Sequence, residues 1–310
     1  MIRTYQKTFC LRNNASLGKL GAVEVNRLGF FCTVFFWLSL TTTTAFALER
    51  EQADAIPHVN QEARENFVQY IYAQSHKAFA IAPGGAWSWV ELESTAAAAQ
   101  AMALQHCQSL TEQRCVVYAL NDKVVFDKQA WSQLWRLDKQ ATSLKNVTGI
   151  TRGATFPNLL FKNSQGKPLR LSDFRGKPTL LHFWGSWCAP CLREMPTLLQ
   201  LQQALKKNHG DQINMVLLQV REPFNRSLQW ARQQQFDQLP LYDSGVKGDS
   251  DSSLFTATGK TMPDRQLARA FPTSYVLDHQ GRVLFTHTGP IASWLEYLPL
   301  FKDVIEHNGG

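Results

Sequence analysis

The chain has 310 residues, room for about two domains of ordinary size. Hydrophobic residues make up 44% and charged residues 18%, the balance of a folded protein rather than a disordered one. Much of the +7 formal charge lies in the first 47 residues, and the rest of the chain has no dense basic stripe with interleaved aromatics, which excludes a nucleic-acid-binding class.

Arg3, Lys7, Arg12, Lys19 and Arg27 make a basic leader, and Leu28 to Leu48 carries no charge. The most apolar part, Phe30 to Leu40, runs into four threonines and Ala45-Phe46-Ala47. A basic start, a short apolar run and a small-x-small end predict a secretory signal over residues 1–47, cut after Ala47. The alternative is an uncleaved anchor, because 21 uncharged residues can just cross a bilayer. The threonine run dilutes the hydrophobicity and favours cleavage, which places the mature chain in the periplasm. Membrane contact is expected only if the segment stays. Beyond the leader, four cysteines form two close pairs, Cys107/Cys115 and Cys188/Cys191. An even count in an exported chain suits an oxidising compartment.

Residues 60–75 have helical spacing, with Phe67, Val68, Ile71 and Tyr72 on one stripe. Lys77 to Ala82 predicts a strand, Pro83-Gly84-Gly85 a turn, and Ala86 to Leu92 a second strand. Ser94 is placed to cap an alanine-rich helix over Thr95 to Leu104. Arg114 to Phe126 predicts two strands around Asn121-Asp122. These elements make a small α+β domain over residues 58–130, of unknown role. Cys107 near the helix end and Cys115 at the next strand's start predict a structural disulfide, contributing about 2–3 kcal/mol. Residues 131–152 are expected to be a linker.

A second unit starts near Gly153 and runs to about residue 307. Phe156 to Phe161 and Pro168 to Leu171 predict an opening hairpin. Thr179 to Trp184 is an apolar strand, and a helix follows from Cys191. Ile213 to Val220 predicts a buried strand, Phe224 to Gln235 a helix, and Leu239 to Tyr242 a short strand. Residues 243–262, rich in Gly, Ser, Asp and Thr, predict an exposed loop or insertion. Ser274 to Leu277 and Arg282 to Thr288 form a hairpin, and residues 293–306 a closing helix. Strands alternating with helices and ending in a hairpin predict an α/β sheet with mixed pairing.

The chemistry sits at Trp187-Cys188-Ala189-Pro190-Cys191, where the strand meets the helix. A helix N-terminus carries partial positive charge and free N–H donors, which favour thiolate over thiol. The thiolate is the attacking species in disulfide exchange, and a second cysteine nearby can resolve the mixed disulfide. Pro190 stiffens the turn where a missing donor is tolerated, and Pro196 is expected to kink the helix. Zinc would need two more ligands at suitable spacing. Covalent haem would need His after the second cysteine, where Leu192 stands. A peroxidase pattern Pro-x-x-x-Thr-x-x-Cys fails, because counting back from Cys188 gives Gly185 and Leu181.

These residues give the second unit a clear likeness. Phe183-Trp184, the Trp187–Cys191 motif, Glu194, Pro196, and Phe271-Pro272-Thr273-Ser274-Tyr275-Val276-Leu277-Asp278 followed by Gly281 resemble the thioredoxin superfamily, and within it the TlpA-like branch of exported thiol reductases. The resemblance covers about residues 153–307, roughly half the chain. It implies a thioredoxin-like three-layer α/β fold with a mixed sheet, here preceded by the small α+β domain. It implies Cys188 as nucleophile and Cys191 as resolving thiol. Pro272 corresponds to the family's cis-proline, beside a substrate groove to which Trp187, Pro190 and Thr273 belong. Glu194 corresponds to a carboxylate of the branch and could deprotonate the resolving thiol. His182 stands where thioredoxins proper carry a buried Asp; it is either a proton relay to Cys191 or a packed core residue. The implied partners are a protein disulfide substrate and a membrane thiol donor, with no metal or organic cofactor. Two alternatives stay open: a disulfide oxidase of the same fold, and a partner-binding module on a redox-silent scaffold.

Overall fold

A computed structural model describes residues 52–134, 143–246, 248 and 253–307. The signal-like segment over residues 1–47 lies outside them. No helix among the described residues is long and apolar enough to cross a membrane.

The N-terminal part is a four-stranded antiparallel sheet between two helices. Its strands are β1 (Ala78–Ile81), β2 (Trp87–Val90), β3 (Val116–Leu120) and β4 (Lys123–Val124), in the order β2-β1-β3-β4. Strand alternation sorts β1 into two faces. Phe79 and Ile81 pack with Phe67 and Tyr70 of helix Gln61–Tyr72. Ala78 and Ala80 pack with Ala99, Ala103 and Cys107 of helix Ala96–Gln108. Thr95, rather than Ser94, caps that second helix; its Oγ1 accepts the Ala98 N–H at 3.0 Å. A Cys107–Cys115 disulfide ties the helix end to the start of β3. Trp131, in the stretch expected to be linker, is buried beside Phe126 and His58.

The C-terminal part is built on a seven-stranded mixed sheet. Its strands are β5 (Leu160–Asn163), β6 (Pro168–Arg170), β7 (Thr179–Trp184), β8 (Asn214–Gln219), β9 (Leu241–Asp243), β12 (Thr273–Leu277) and β13 (Val283–Thr288). The order is β13-β12-β7-β8-β9-β5-β6, with β7, β8 and β9 parallel and the other neighbours antiparallel. Every residue of β7 is buried, as a central strand covered on both faces requires. Leu180 and Trp184 face the core under helices Ala189–His209 and Leu298–His307. Leu181 and Phe183 face the opposite core, with Phe156, Leu159 and Tyr275. Two layers of side chains around one sheet give the three-layer α/β fold.

Three segments differ from their sequence expectation. Within the stretch 243–262, Leu254 is 1% exposed and belongs to the same core as Phe161 and Val220. Here β10 (Ser253–Phe255) and β11 (Thr261–Pro263) form a small hairpin. Sparse apolar residues, not average polarity, decide its burial. The strand expected from Leu239 starts two residues later, at Leu241. The closing helix opens as a 3-10 turn, Trp294–Tyr297, before helix Leu298–His307.

The described residues form one compact unit, so the two parts pack together. The His58 ring is bonded to Asp303 of the last helix at 2.9 Å. Gln113 donates from Nε2 to the Leu284 carbonyl, and the Gly153 N–H bonds the Val283 carbonyl at 2.8 Å. Strand β13 is the edge of the large sheet, and these contacts cover its unpaired backbone, which otherwise invites strand pairing.

Candidate active site

Strand β7 delivers the chain to the site. It ends at Trp184, the Cys188 N–H bonds the Gly185 carbonyl at 3.1 Å, and the helix starts at Ala189. Cys188 is the N-cap of this 21-residue helix, with extended backbone, and its Sγ accepts the Cys191 N–H at 3.2 Å. Pro190 occupies the first turn, where its lack of an N–H costs nothing. Pro196 lies inside the same helix, which continues to His209. Cys188 and Cys191 are joined as a disulfide. Cys188 is 3% exposed and Cys191 fully buried, so the cap sulfur is the one nearer solvent. When the bridge opens, a thiolate at Cys188 meets the first N–H groups and the positive end of the helix dipole.

Beneath the disulfide lies a buried polar pair. Alternation along β7 puts His182 on the same face as Leu180 and Trp184, toward the helix. Glu194 stands one turn beyond Cys191 on that helix. His182 is fully buried and Glu194 is 1% exposed, with Nε2 to Oε2 at 3.7 Å, too long for a hydrogen bond. The other His182 nitrogen, Nδ1, is bonded to Ser274 Oγ of β12 at 2.8 Å, as the register Ser274 opposite His182 dictates. Burial, reinforced by His287, lowers the His182 pKa to about 3, so the ring is neutral at neutral pH. Burial raises the Glu194 pKa to about 7, opposed by the Ile291 N–H and the Trp294 indole. A carboxyl that titrates near neutrality beside a cysteine pair is suited to exchange a proton.

The outer face is aromatic. Trp187, 45% exposed, packs edge-to-face on Phe271 with ring centres 5.3 Å apart, and its Nε1 donates to the Val220 carbonyl at 3.0 Å. Gly185 makes room for the indole, because a Cβ there would lie 2.2 Å from Trp187 Nε1. The Phe271–Pro272 bond is cis. The Pro272 carbonyl accepts the Gly289 N–H at 2.9 Å, and Thr273 Oγ1 donates to the Ala270 carbonyl at 2.7 Å. Thr273 stands opposite Phe183 at the end of β12, which carries the Phe271–Pro272 turn to the end of β7.

The structure thus gathers Cys188, Cys191, Trp187, Pro190, Glu194 and His182 at one end of β7, with Pro272 and Thr273 at the adjoining end of β12. Cys107 and Cys115 pair in the N-terminal part. Sequence reasoning missed several supports. Glu222 is buried and accepts from the Ser186 N–H (2.5 Å), Ser186 Oγ (2.7 Å) and Ser227 Oγ (2.5 Å), which fixes the loop ahead of Trp187. Arg221 is bonded to Asp264 by two N–H groups and faces both Trp187 and Phe271. Ser274, Ile291 and Trp294 surround the buried pair. The one local signal for Arg221 and Glu222 is that they come just after a buried strand. Among the described residues, Asp303, Glu306 and His307 bring ligand-type atoms within 4.8 Å of one another. Asp303 is bonded to His58, and His307 Nδ1 to the Asp303 carbonyl, so internal bonds already hold this group.

The chain is similar to several known proteins. Residues 151–294 match the Redoxin family. The thioredoxin-like protein YneN of Bacillus subtilis (strain 168) is 29% identical over 148 residues, 48% of this chain and 78% of that protein. The thiol-disulfide oxidoreductase ResA of Geobacillus kaustophilus (strain HTA426) is 40% identical over 76 residues, 24% of this chain and 42% of its own length. The crystal structure of a putative thiol:disulfide interchange protein DsbE from Chlorobium tepidum aligns over 52% of this chain and all of that one, at 22% identity and TM-score 0.37.

Proposed function

We propose that this chain, which is similar over residues 151–294 to the Redoxin family and to thiol-disulfide oxidoreductases, is an exported TlpA-like reductase of protein disulfides working through a mixed disulfide at Cys188. One observation carries the proposal: Cys188 caps the N-terminus of a long helix, the more solvent-facing member of a disulfide whose partner is fully buried.

The reaction starts from the dithiol. The Cys188 thiolate attacks one sulfur of a substrate disulfide, forming a Cys188–substrate bond and releasing one substrate thiolate. Cys191 passes its proton to Glu194 and attacks the Cys188 sulfur. The Cys188–Cys191 bond forms, the second substrate sulfur leaves, and it takes up a proton. Two electrons have passed from enzyme to substrate, and a dithiol donor returns them by the same exchange. His182, anchored by Ser274, stays neutral beside the carboxyl, which the Ile291 N–H holds in place. An extended substrate segment lies against Trp187 and the backbone ahead of Pro272. In an oxidising compartment the donor is a membrane thiol protein, and the leader at residues 1–47 brings the chain there. Separate apolar cores support two units, the expected 58–130 unit with its core extended to Ala53, Trp131 and Leu134, and a second unit over residues 153–307.

Insulin reduction driven by dithiothreitol tests the activity. Wild type is expected to accelerate it, Cys188→Ser to abolish it, and Cys191→Ala to accumulate a reducible mixed disulfide at Cys188. No acceleration by wild type would favour a binding module. A redox titration tests direction: a midpoint near the thioredoxin value of about −270 mV supports a reductase, and one near the about −120 mV of strong oxidases supports the reverse.

A further inference from the structure

The insertion between β9 and β12 is joined to the aromatic pair beside the disulfide by a buried ion pair. Asp264, fully buried in a short turn after β11, holds Arg221 through Nε (2.5 Å) and Nη2 (2.7 Å). Two parallel N–H bonds to one carboxylate fix the plane of a guanidinium, not only its position. That plane lies 5.9 Å from the Trp187 ring centre and 5.0 Å from that of Phe271. A second cation, Arg265, lies 5.4 Å from the Phe271 ring centre. Arg221 adopts φ +65°, a left-handed conformation uncommon for a residue with a side chain. The Gly248 backbone lies against it so closely that a Cβ on Gly248 would sit 2.3 Å from the Arg221 carbonyl oxygen. Such a backbone persists where its surroundings impose it, typically at functional sites. The next residue, Glu222, anchors Ser186. Glu222 therefore braces the loop before Cys188, and Arg221 the aromatic pair beside it.

We infer that Arg221 is a positioning residue for specificity: pinned by Asp264 of the insertion, it holds Trp187 and Phe271 as the two walls of the groove that accepts polypeptide disulfides. This rests on the polypeptide-reductase reading. The walls contact the chain around a substrate disulfide, not the sulfurs themselves. Loss of the brace therefore raises KM for a polypeptide and leaves sulfur exchange with a small disulfide unchanged.

The test uses the full chain and its Arg221→Gln, Arg221→Lys and Asp264→Asn variants, with insulin and hydroxyethyl disulfide as substrates. Arg221→Gln is expected to raise KM for insulin about tenfold, the factor set by losing a desolvated cation–π contact. The rate with hydroxyethyl disulfide should change by less than about twofold, because the helix N-terminus that activates Cys188 is untouched. Arg221→Lys keeps the charge without the fork and is expected not to restore the wild-type KM; it also replaces Arg221→Gln should that variant fail to fold. Acrylamide quenching of Trp187, taken as the difference from Trp187→Phe backgrounds, should increase in each variant. Equal losses on both disulfides, full function of Arg221→Lys, or unchanged Trp187 quenching would each overturn the inference. Should wild type leave insulin intact, the reductase reading fails, and the quenching result still decides whether Arg221 braces the indole.

Discussion

Replacing Glu194 with glutamine probes the buried carboxyl on two scales. Burial lifts its pKa from an ordinary 4.5 to about 7. The folded protein therefore holds this proton more tightly than the unfolded chain does. Stability from the group is full below about pH 4.5, declines as pH rises toward about 7, and stays lost above it. The difference between the two values corresponds to about 3 kcal/mol. Glutamine keeps the shape and an oxygen for the Ile291 N–H, but it cannot ionise. Urea melts should therefore show Glu194→Gln close to wild type at pH 5 and more stable by about 2–3 kcal/mol at pH 8. The kinetic consequence runs the other way. With a pKa near 7, about half the wild-type molecules carry the carboxylate at pH 7 and about a tenth at pH 6. Release of the second substrate thiol, followed by stopped flow in a single turnover, should track that fraction. It should slow about a hundredfold in the variant, the size of a lost general base. Attack by Cys188 should be unaffected. Equal slowing of both steps, or an unchanged pH profile for thiol release, would refute the base assignment. A stability gap of equal size at pH 5 and pH 8 would refute the burial argument.

Removing the Cys107–Cys115 bridge as a double alanine variant should cost about 2–3 kcal/mol. Thermal melts should fall by roughly 5–10 °C while turnover of small disulfides is retained; a parallel loss of turnover would assign this bridge a redox role. Gly185→Ala forces a Cβ into the space of the Trp187 ring, and overpacking of this kind costs about 1–3 kcal/mol. Tryptophan emission should shift with it, and an unchanged melt and spectrum would show that the indole yields freely. His58→Ala leaves Asp303 without its 2.9 Å partner, and a group unpaired in this way costs about 1–3 kcal/mol at pH 7. Burial lowers the His58 pKa below 6.5, against the pull of Asp303. The stability it contributes is therefore present above pH 6.5 and lost on acidification, and urea melts at pH 7 and pH 5 should show a smaller gap between wild type and variant in acid.

The reacting end of the fold was legible because its signals are local. An apolar run, two cysteines two residues apart and a helix-forming segment follow one another directly, and strand parity alone puts His182 under the helix that carries Glu194. The Phe271-Pro272-Thr273 turn could be placed by likeness of its own few residues. The supports were not legible, because they depend on chain-distant partners. Asp264 lies 43 residues from Arg221, and the Ile291 amide lies 97 residues from Glu194. No periodicity relates such positions. The stretch 243–262 misled for a different reason: its composition is polar, yet Val246 and Leu254 are enough to anchor it. Likewise, Ser94 and Thr95 are both good caps, and only the backbone distinguishes them. Glu194 itself carried two meanings in sequence, a solvated helix charge or a buried acid, and the cover supplied by Ile291 and Trp294 decides for the buried one.

The account stands on the acidity of one sulfur at a helix N-terminus. The direct measurement is the pH dependence of thiolate absorbance and of iodoacetamide alkylation at Cys188 in the reduced protein, with Cys191→Ala to isolate the site. Stabilisation by the helix end gives a midpoint below about 7.5, within the range of activated cysteines. A midpoint at or above the ordinary thiol value of about 8.5 would contradict it.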